Sequence, residues 1–165
     1  MKAKSIIALV FGLIITVGLD QLIKYWVVNT LDVGEEISLL PFLSLYHARN
    51  PGIAFSMLSS VSDWGLIALT FCIICFVIWL WKNAGPEKSL SRFGFLLVIG
   101  GAIGNLIDRI RFHYVIDYIS FHIGDVFSFA IFNLADSFIT IGAIFIIVDE
   151  LINWKKEKGN VKKNL

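Results

Sequence analysis

The sequence predicts a membrane all-α bundle of four transmembrane helices, with a small outward-facing β-structured segment and a second outward interfacial segment. Three observations carry that prediction. Of the 165 residues, 57% are hydrophobic, against about 45–50% in an ordinary soluble domain. The mean hydropathy is +0.78, and the apolar excess lies in four runs close to the roughly 20 residues that cross a hydrocarbon core. The basic residues collect at alternate ends of those runs.

The first span runs over 6–28 and is interrupted only by Asp20 and Lys24. Its start, "MKAKSIIALVFGLIITVGLD", imitates a signal peptide. The run is long and no A-x-A cleavage site follows, so it reads as a retained span. The second span covers 64–81, with Trp64, Trp79 and Trp81 as interface anchors. Cys72 and Cys75 lie mid-run with no His or acid beside them, which suggests membrane packing and not a metal or redox site. The third span covers 93–110. The fourth covers 131–154 and closes on Trp154.

Lys2 and Lys4 precede the first span. Lys82, Lys88 and Arg92 flank the loop between the second and third. Lys155, Lys156, Lys158, Lys162 and Lys163 follow the fourth. These are ten of the fourteen Lys and Arg residues, and they predict both termini on the cytoplasmic side. Segments 29–63 and 111–130 then face outward. In the first, Leu43, Leu45 and His47 fall on one parity and Phe42, Ser44 and Tyr46 on the other, so a short β-structure at the membrane surface is expected. The second is aromatic-rich and mixed in pattern, and reads as interfacial. Residues 155–165 read as a mobile basic tail. One integral membrane domain spans 1–165, without internal repeats.

A net charge of +1 gives no reason to expect nucleic acid. The sequence contains no HExxH, GxSxG or P-loop. His47, His113 and His122 are scattered over the outward segments and read as surface or structural residues. What remains is carboxylate. By the predicted orientation, Asp20 and Lys24 lie at the outer end of the first span, one helical turn apart. Asn105, Asp108 and Arg109 lie at the outer end of the third, and Asn133 and Asp136 in the first turns of the fourth. Asp117 and Asn50 belong to outward segments at the same level. Asp149 and Glu150, at the opposite end, need no special role.

Charged groups inside a bilayer are costly and mark function. A transporter would place them at the midplane with an inward path, whereas a layer at one face suits chemistry on something held in the outer leaflet. A purely structural bundle leaves that common depth without a reason. Two carboxylates sharing a proton can activate water and protonate a leaving amine. Asp20 has Lys24 beside it, and Asp108 has Arg109 or Lys24. Asp117 with Asp136 is the best unneutralised pair, although Arg111 could fold back on Asp117 and spacing alone leaves the choice open.

Five motifs stand out along the chain: "DQLIK" (20–24), "NPGIAFS" (50–56), "GGAIGNLIDR" (100–109), "VIDYI" (115–119) and "FNLADS" (132–137). Together, in this order and over nearly the whole chain, they resemble the lipoprotein signal peptidase (signal peptidase II) family. Presenilin-like proteases differ in carrying G-x-G-D, of which this chain has only "IGD" at 123–125. The resemblance implies an aspartic endopeptidase of the bacterial inner membrane, with Asp117 and Asp136 as the catalytic pair and without metal or cofactor. It implies that Asn50, Gly52, Asn105, Arg109 and Asn133 bind substrate or orient the pair, and that Asp20, Lys24 and Asp108 support the site. The implied partners are diacylglyceryl-modified prolipoproteins, cut just before the lipidated cysteine, together with membrane lipids. No oligomer is required. Ile53 departs from the small residue, usually Ala, that the family has there.

Overall fold

A computed structural model describes residues 3–52, 62–123 and 127–163. Ile53, the rest of "IAFS" and the Gly124–Asp125 part of "IGD" lie outside the described residues. Four helices are present: α1 (Ala3–Thr30), α2 (Asp63–Asn83), α3 (Ser89–Phe112) and α4 (Leu134–Lys163). Among the described residues, three are long and apolar enough to cross a membrane: Ser5–Thr30 of α1, and α2 and α3 over their whole lengths. α4 has an apolar middle but carries Asp136, Asp149 and Glu150. It also continues past Trp154 to Lys163, so residues 155–163 extend a helix where a separate tail was expected.

α3 is the central helix, touching α1, α2 and α4. Its glycines explain how. A Cβ on Gly101 would run into the Ala135 carbonyl oxygen, and one on Gly94 would lie 2.6 Å from the Gly142 carbonyl oxygen. Without side chains at these points the α3 and α4 backbones meet directly, as small residues permit in membrane helices. On the other side Gly100 receives Thr16 of α1. Ile74, Val77 and Trp81 of α2 pack on Phe95, Ile99 and Ala102 of α3. Ile7, Phe11, Ile14 and Leu22 on the outer face of α1 are exposed, an arrangement suited to lipid contact. Cys72 and Cys75 are exposed free thiols on α2.

At the end of the bundle where α1 and α3 finish, four strands form one antiparallel series: β1 (Glu36–Leu40), β2 (Leu43–Asn50), β3 (Val115–Ile123) and β4 (Phe127–Ser128), in that order. Segment 29–63 was expected to be β-structured, and segment 111–130 contributes strands as well: β3 pairs with β2 along most of its length. Its opening residues Val115, Ile116, Asp117 and Tyr118 are all buried. A strand covered on both faces shows no alternation, which is why its pattern looked mixed. β2 does not keep its parity either. A shift in the β2–β3 register between Leu45 and Ala48 puts Ser44 and His47, three residues apart, both inside.

His47 is buried, with Nδ1 bonded to the Leu31 carbonyl at 2.9 Å. His113 ends α3 in the left-handed conformation (φ 65°), its N–H donating to the Arg109 carbonyl at 3.0 Å. His122 Nε2 lies 3.1 Å from Ser44 Oγ.

The far end of the bundle corrects one expectation. Asp149 is buried, and it accepts from the Ser91 N–H at 3.1 Å and from Ser91 Oγ at 2.6 Å. It therefore satisfies donors in the first turn of α3. Glu150 is the ordinary one, paired with Lys88 at the surface. Arg92 closes the same end by donating to the Trp81 and Ala84 carbonyls and to Ser5 Oγ.

Candidate active site

The site begins with the start of α4. Asn133 precedes the helix as its N-cap, and its Oδ1 accepts the Asp136 N–H at 2.9 Å. The Asp136 carboxylate reaches back to the Asn133 N–H at 3.2 Å. This is a reciprocal capping box. It fixes the Asp136 side chain over the first turn, where the helix dipole favours an anion. The remaining helix-start donors are also engaged. Leu134 N–H donates to Tyr118 Oη at 3.1 Å, and Ala135 N–H donates to Asp20 Oδ1 at 3.0 Å.

The Asn133 side chain has its NH2 group left, and that group turns to β3. Nδ2 donates to Asp117 Oδ1 at 2.6 Å, and reaches Asn105 Oδ1 at 3.1 Å. One fully buried asparagine thus touches both Asp117 and Asp136. Each aspartate has a second amide donor. Asn50 Nδ2 donates to Asp117 Oδ2 at 2.9 Å. Asn105 Nδ2 donates to Asp136 Oδ1 at 2.8 Å. Asn50 reaches Asp117 because it pairs with Val115 across the β2–β3 ladder, and a diagonal neighbour lies within reach of a polar side chain.

The two aspartates differ in surroundings. Asp117 is buried and Asp136 half-buried. Burial pushes the Asp117 carboxyl up to about 6, with the neighbouring Asp136 charge adding to the rise and the Asn50 hydrogen bond opposing it. Arg109 lies at the edge of the pair. Its Nη2 donates to the Gly52 carbonyl at 2.7 Å, and Gly52 N–H donates to Asn50 Oδ1 at 3.0 Å. Arg109 and Asn50 therefore hold the chain at Gly52 beside the aspartates.

Beneath this lies an ion cluster. Lys24 is buried and its ammonium engages three acceptors: Asp20 Oδ2 at 3.0 Å, Asp108 Oδ2 at 2.7 Å and Asn105 Oδ1 at 2.9 Å. An ammonium has three donors and no acceptor, so it fixes Asn105 with its oxygen inward and its NH2 toward Asp136. Asp108 Oδ2 also accepts the Ile116 N–H at 3.2 Å, at the start of β3. Gly104 leaves room for Asp20, since a Cβ there would lie 2.5 Å from Asp20 Oδ2. Ala135 is fully buried against the same spot.

All ten residues singled out from the sequence come together here: Asp20, Lys24, Asn50, Gly52, Asn105, Asp108, Arg109, Asp117, Asn133 and Asp136. Two others were missed. Gln21 Nε2 bridges Asp108 Oδ1 at 2.9 Å and the Gly104 carbonyl at 3.1 Å. Its place inside "DQLIK" was the available signal. The other is Tyr118, in "VIDYI", whose hydroxyl meets the start of α4. Arg111 does not fold back onto Asp117; its guanidinium lies over the Phe112 ring. Among the described residues, no group of three or more His, Cys, Asp or Glu is placed to hold a metal ion.

This constellation can be set beside known proteins. The profile of the family described as signal peptidase (SPase) II matches residues 12–152. The chain belongs to the signal peptidase II family. Lipoprotein signal peptidases of Bartonella henselae and Bartonella bacilliformis are each 63% identical to it, covering 96% and 99% of this chain and 98% and 99% of theirs. The Brucella ovis lipoprotein signal peptidase is 51% identical, over 96% of this chain and 98% of its own length. Two bacterial membrane enzymes solved by the in meso method are each 30% identical to the chain. They superimpose with TM-scores of 0.82 and 0.76, covering 90% and 87% of this chain and 90% and 92% of theirs. As a member of the signal peptidase II family the chain is a bacterial membrane protease of the aspartic class.

Proposed function

We propose that the chain removes the signal peptide from diacylglyceryl-modified prolipoproteins, cutting the bond just before the lipidated cysteine with Asp117 and Asp136 as its catalytic pair. The observation that carries this reading is the Asn133 bridge, which holds two carboxylates from different elements in one site. The lipoprotein signal peptidases at 51–63% identity support the substrate class.

The chemistry follows from the pair sharing one proton. The ionised carboxylate takes a proton from water while the protonated one donates a hydrogen bond to the scissile carbonyl. Water oxygen bonds to the carbonyl carbon, giving a tetrahedral intermediate. The C–N bond then breaks as the amine takes up a proton. The products are the signal peptide's carboxylate and a free amine on the lipidated cysteine. With Asp117 raised to about 6, a proton can be held in the site close to neutral pH. Asn50, Asn105, Arg109, Asn133 and the Gly52 backbone orient the pair or bind the substrate's extended backbone. Asp20, Lys24 and Asp108 hold the elements that carry it.

In this reading α4 is the fourth span and both termini are cytoplasmic, following the ten basic residues at that side. The site then lies near the outer leaflet, where the substrate's acyl chains hold its scissile bond. Every proposed site residue comes from one chain, so a monomer suffices. The test is to supply one precursor with and without its diacylglyceryl group and to identify the products by mass. Cleavage of the modified form alone, leaving a new amino-terminal lipidated cysteine, is the expected result. Equal cleavage of both forms, or a cut elsewhere, would overturn the substrate assignment.

A further inference from the structure

We propose that the Tyr118 hydroxyl is a positioning group for the aspartate pair, tying the strand that carries Asp117 to the first residue of the helix that carries Asp136. The proposal rests on the assignment of that pair as catalytic. β3 and α4 are separate elements, and the geometry of the site depends on their relative placement to a fraction of an ångström. Asn133 links them through the site itself. Behind it, the strand makes backbone bonds to the residue before the N-cap: Tyr118 N–H donates to the Phe132 carbonyl at 3.0 Å, and Ile119 N–H donates to it at 2.7 Å. Those bonds fix Phe132 but stop short of the helix.

The Tyr118 side chain goes further. Its Oη accepts the Leu134 N–H at 3.1 Å. Leu134 is the first residue of α4, two before Asp136, and its N–H has no intrahelical acceptor. Tyr118 is buried, packed with Val27, Leu31 and Ile116, so its hydroxyl is held in place by the ring. The charged groups that act on it are Asp20 from α1, Asp117 from its own strand and Asp136 from α4. Burial foremost, and then these three carboxylates, push the phenol well above its ordinary range. The group therefore remains a neutral hydroxyl under working conditions and acts by hydrogen bonding, not by titration. Phenylalanine would fill the same volume and lose only the acceptor.

The hydrogen bond can be removed from either side. Tyr118→Phe deletes the acceptor. Leu134→Pro deletes the donor at a position that suits proline, the first of a helix. Purified in detergent and assayed on a lipidated precursor, each variant should lose on the order of 10-fold in kcat, because slight misplacement of reacting groups is expensive, with KM within about twofold. The acidic limb of the kcat–pH profile should move in both. The double variant should be no worse than Leu134→Pro, which already lacks the bond together with the packing of the Leu134 side chain on the Tyr118 cluster,. Parent kcat and pH profile per folded molecule, with only a lower melting temperature, would make the hydroxyl merely structural and overturn the proposal. Fully additive losses would overturn it as well. Amide exchange over 134–136 gives an independent reading that needs no catalysis. Faster exchange in Tyr118→Phe beside a fully active Asp136→Asn would sink the aspartate pair and leave the tie standing. Unchanged exchange beside an inactive Asp136→Asn would sink the tie and leave the pair standing.

Discussion

Asn133 donates its side-chain amide to Asp117 Oδ1 across 2.6 Å while its backbone N–H donates to Asp136 Oδ2 at 3.2 Å. A helix cap is thereby also the joint between two aspartates on different elements. Asn133→Ala should lower cleavage by on the order of 100-fold through loss of positioning. As lost helix capping, it should lower stability by about 1–2 kcal/mol. Comparing activity per folded molecule with the thermal midpoint separates the two effects.

The Lys24 cluster makes a different prediction. Lys24→Met leaves Asp20 and Asp108 buried without their cation. Breaking a buried ion pair from one side costs about 3–5 kcal/mol. We expect a much lower thermal midpoint in detergent and a low yield of folded protein. A Lys24→Met protein as stable as the parent would show that the cluster does not hold the bundle.

Two glycine substitutions should separate packing from composition. Gly101→Ala drives a methyl group against the Ala135 carbonyl. Overpacking of that kind costs about 1–3 kcal/mol, and here it would part Asn105 from Asp136. Gly18 has nothing within 4 Å of its would-be Cβ, so Gly18→Ala should leave both activity and melting temperature at or slightly above the parent's. Thermal melts of the two variants in one detergent make the comparison.

The glycines of "GGAIGNLIDR" on α3 also show how far the sequence was legible. Their spacing announces close helix approach, but which backbone each one meets depends on tertiary placement. The acids at helix ends were legible because a carboxylate beside an apolar run is costly and rare. The capping box was less so: "NLAD" shows Asn and Asp three apart, yet the amide left over from the cap finds Asp117 only once β3 lies alongside. β3 itself was missed because burial on both faces removes alternation. Asp149 was read as an ordinary boundary residue, since nothing local shows that Ser91 of another helix comes to it. Tyr118 was hidden by its neighbour, for the motif draws attention to Asp117 and the hydroxyl's partner is sixteen residues away.

The pH dependence of stability carries its own sign. Asp117 is raised by burial from 3.8 to about 6, so the folded protein binds its proton more tightly than the unfolded chain does. Its contribution to stability is fully present below about 3.8 and is lost as pH rises through about 6,. Asp117→Asn should flatten this part of the stability curve, measured by melts across that window. In the parent enzyme kcat/KM should fall on the acid side as the pair takes up its second proton.

The central claim is that Asp117 and Asp136 act together on water. Asp117→Asn and Asp136→Asn, each purified folded in detergent and given a diacylglyceryl-modified precursor, test it most directly. Each variant should retain its fold and lose cleavage by several orders of magnitude, and the double variant should lose little more, because the two residues act as a unit. Full cleavage by either single variant would remove that residue from the pair and contradict the account.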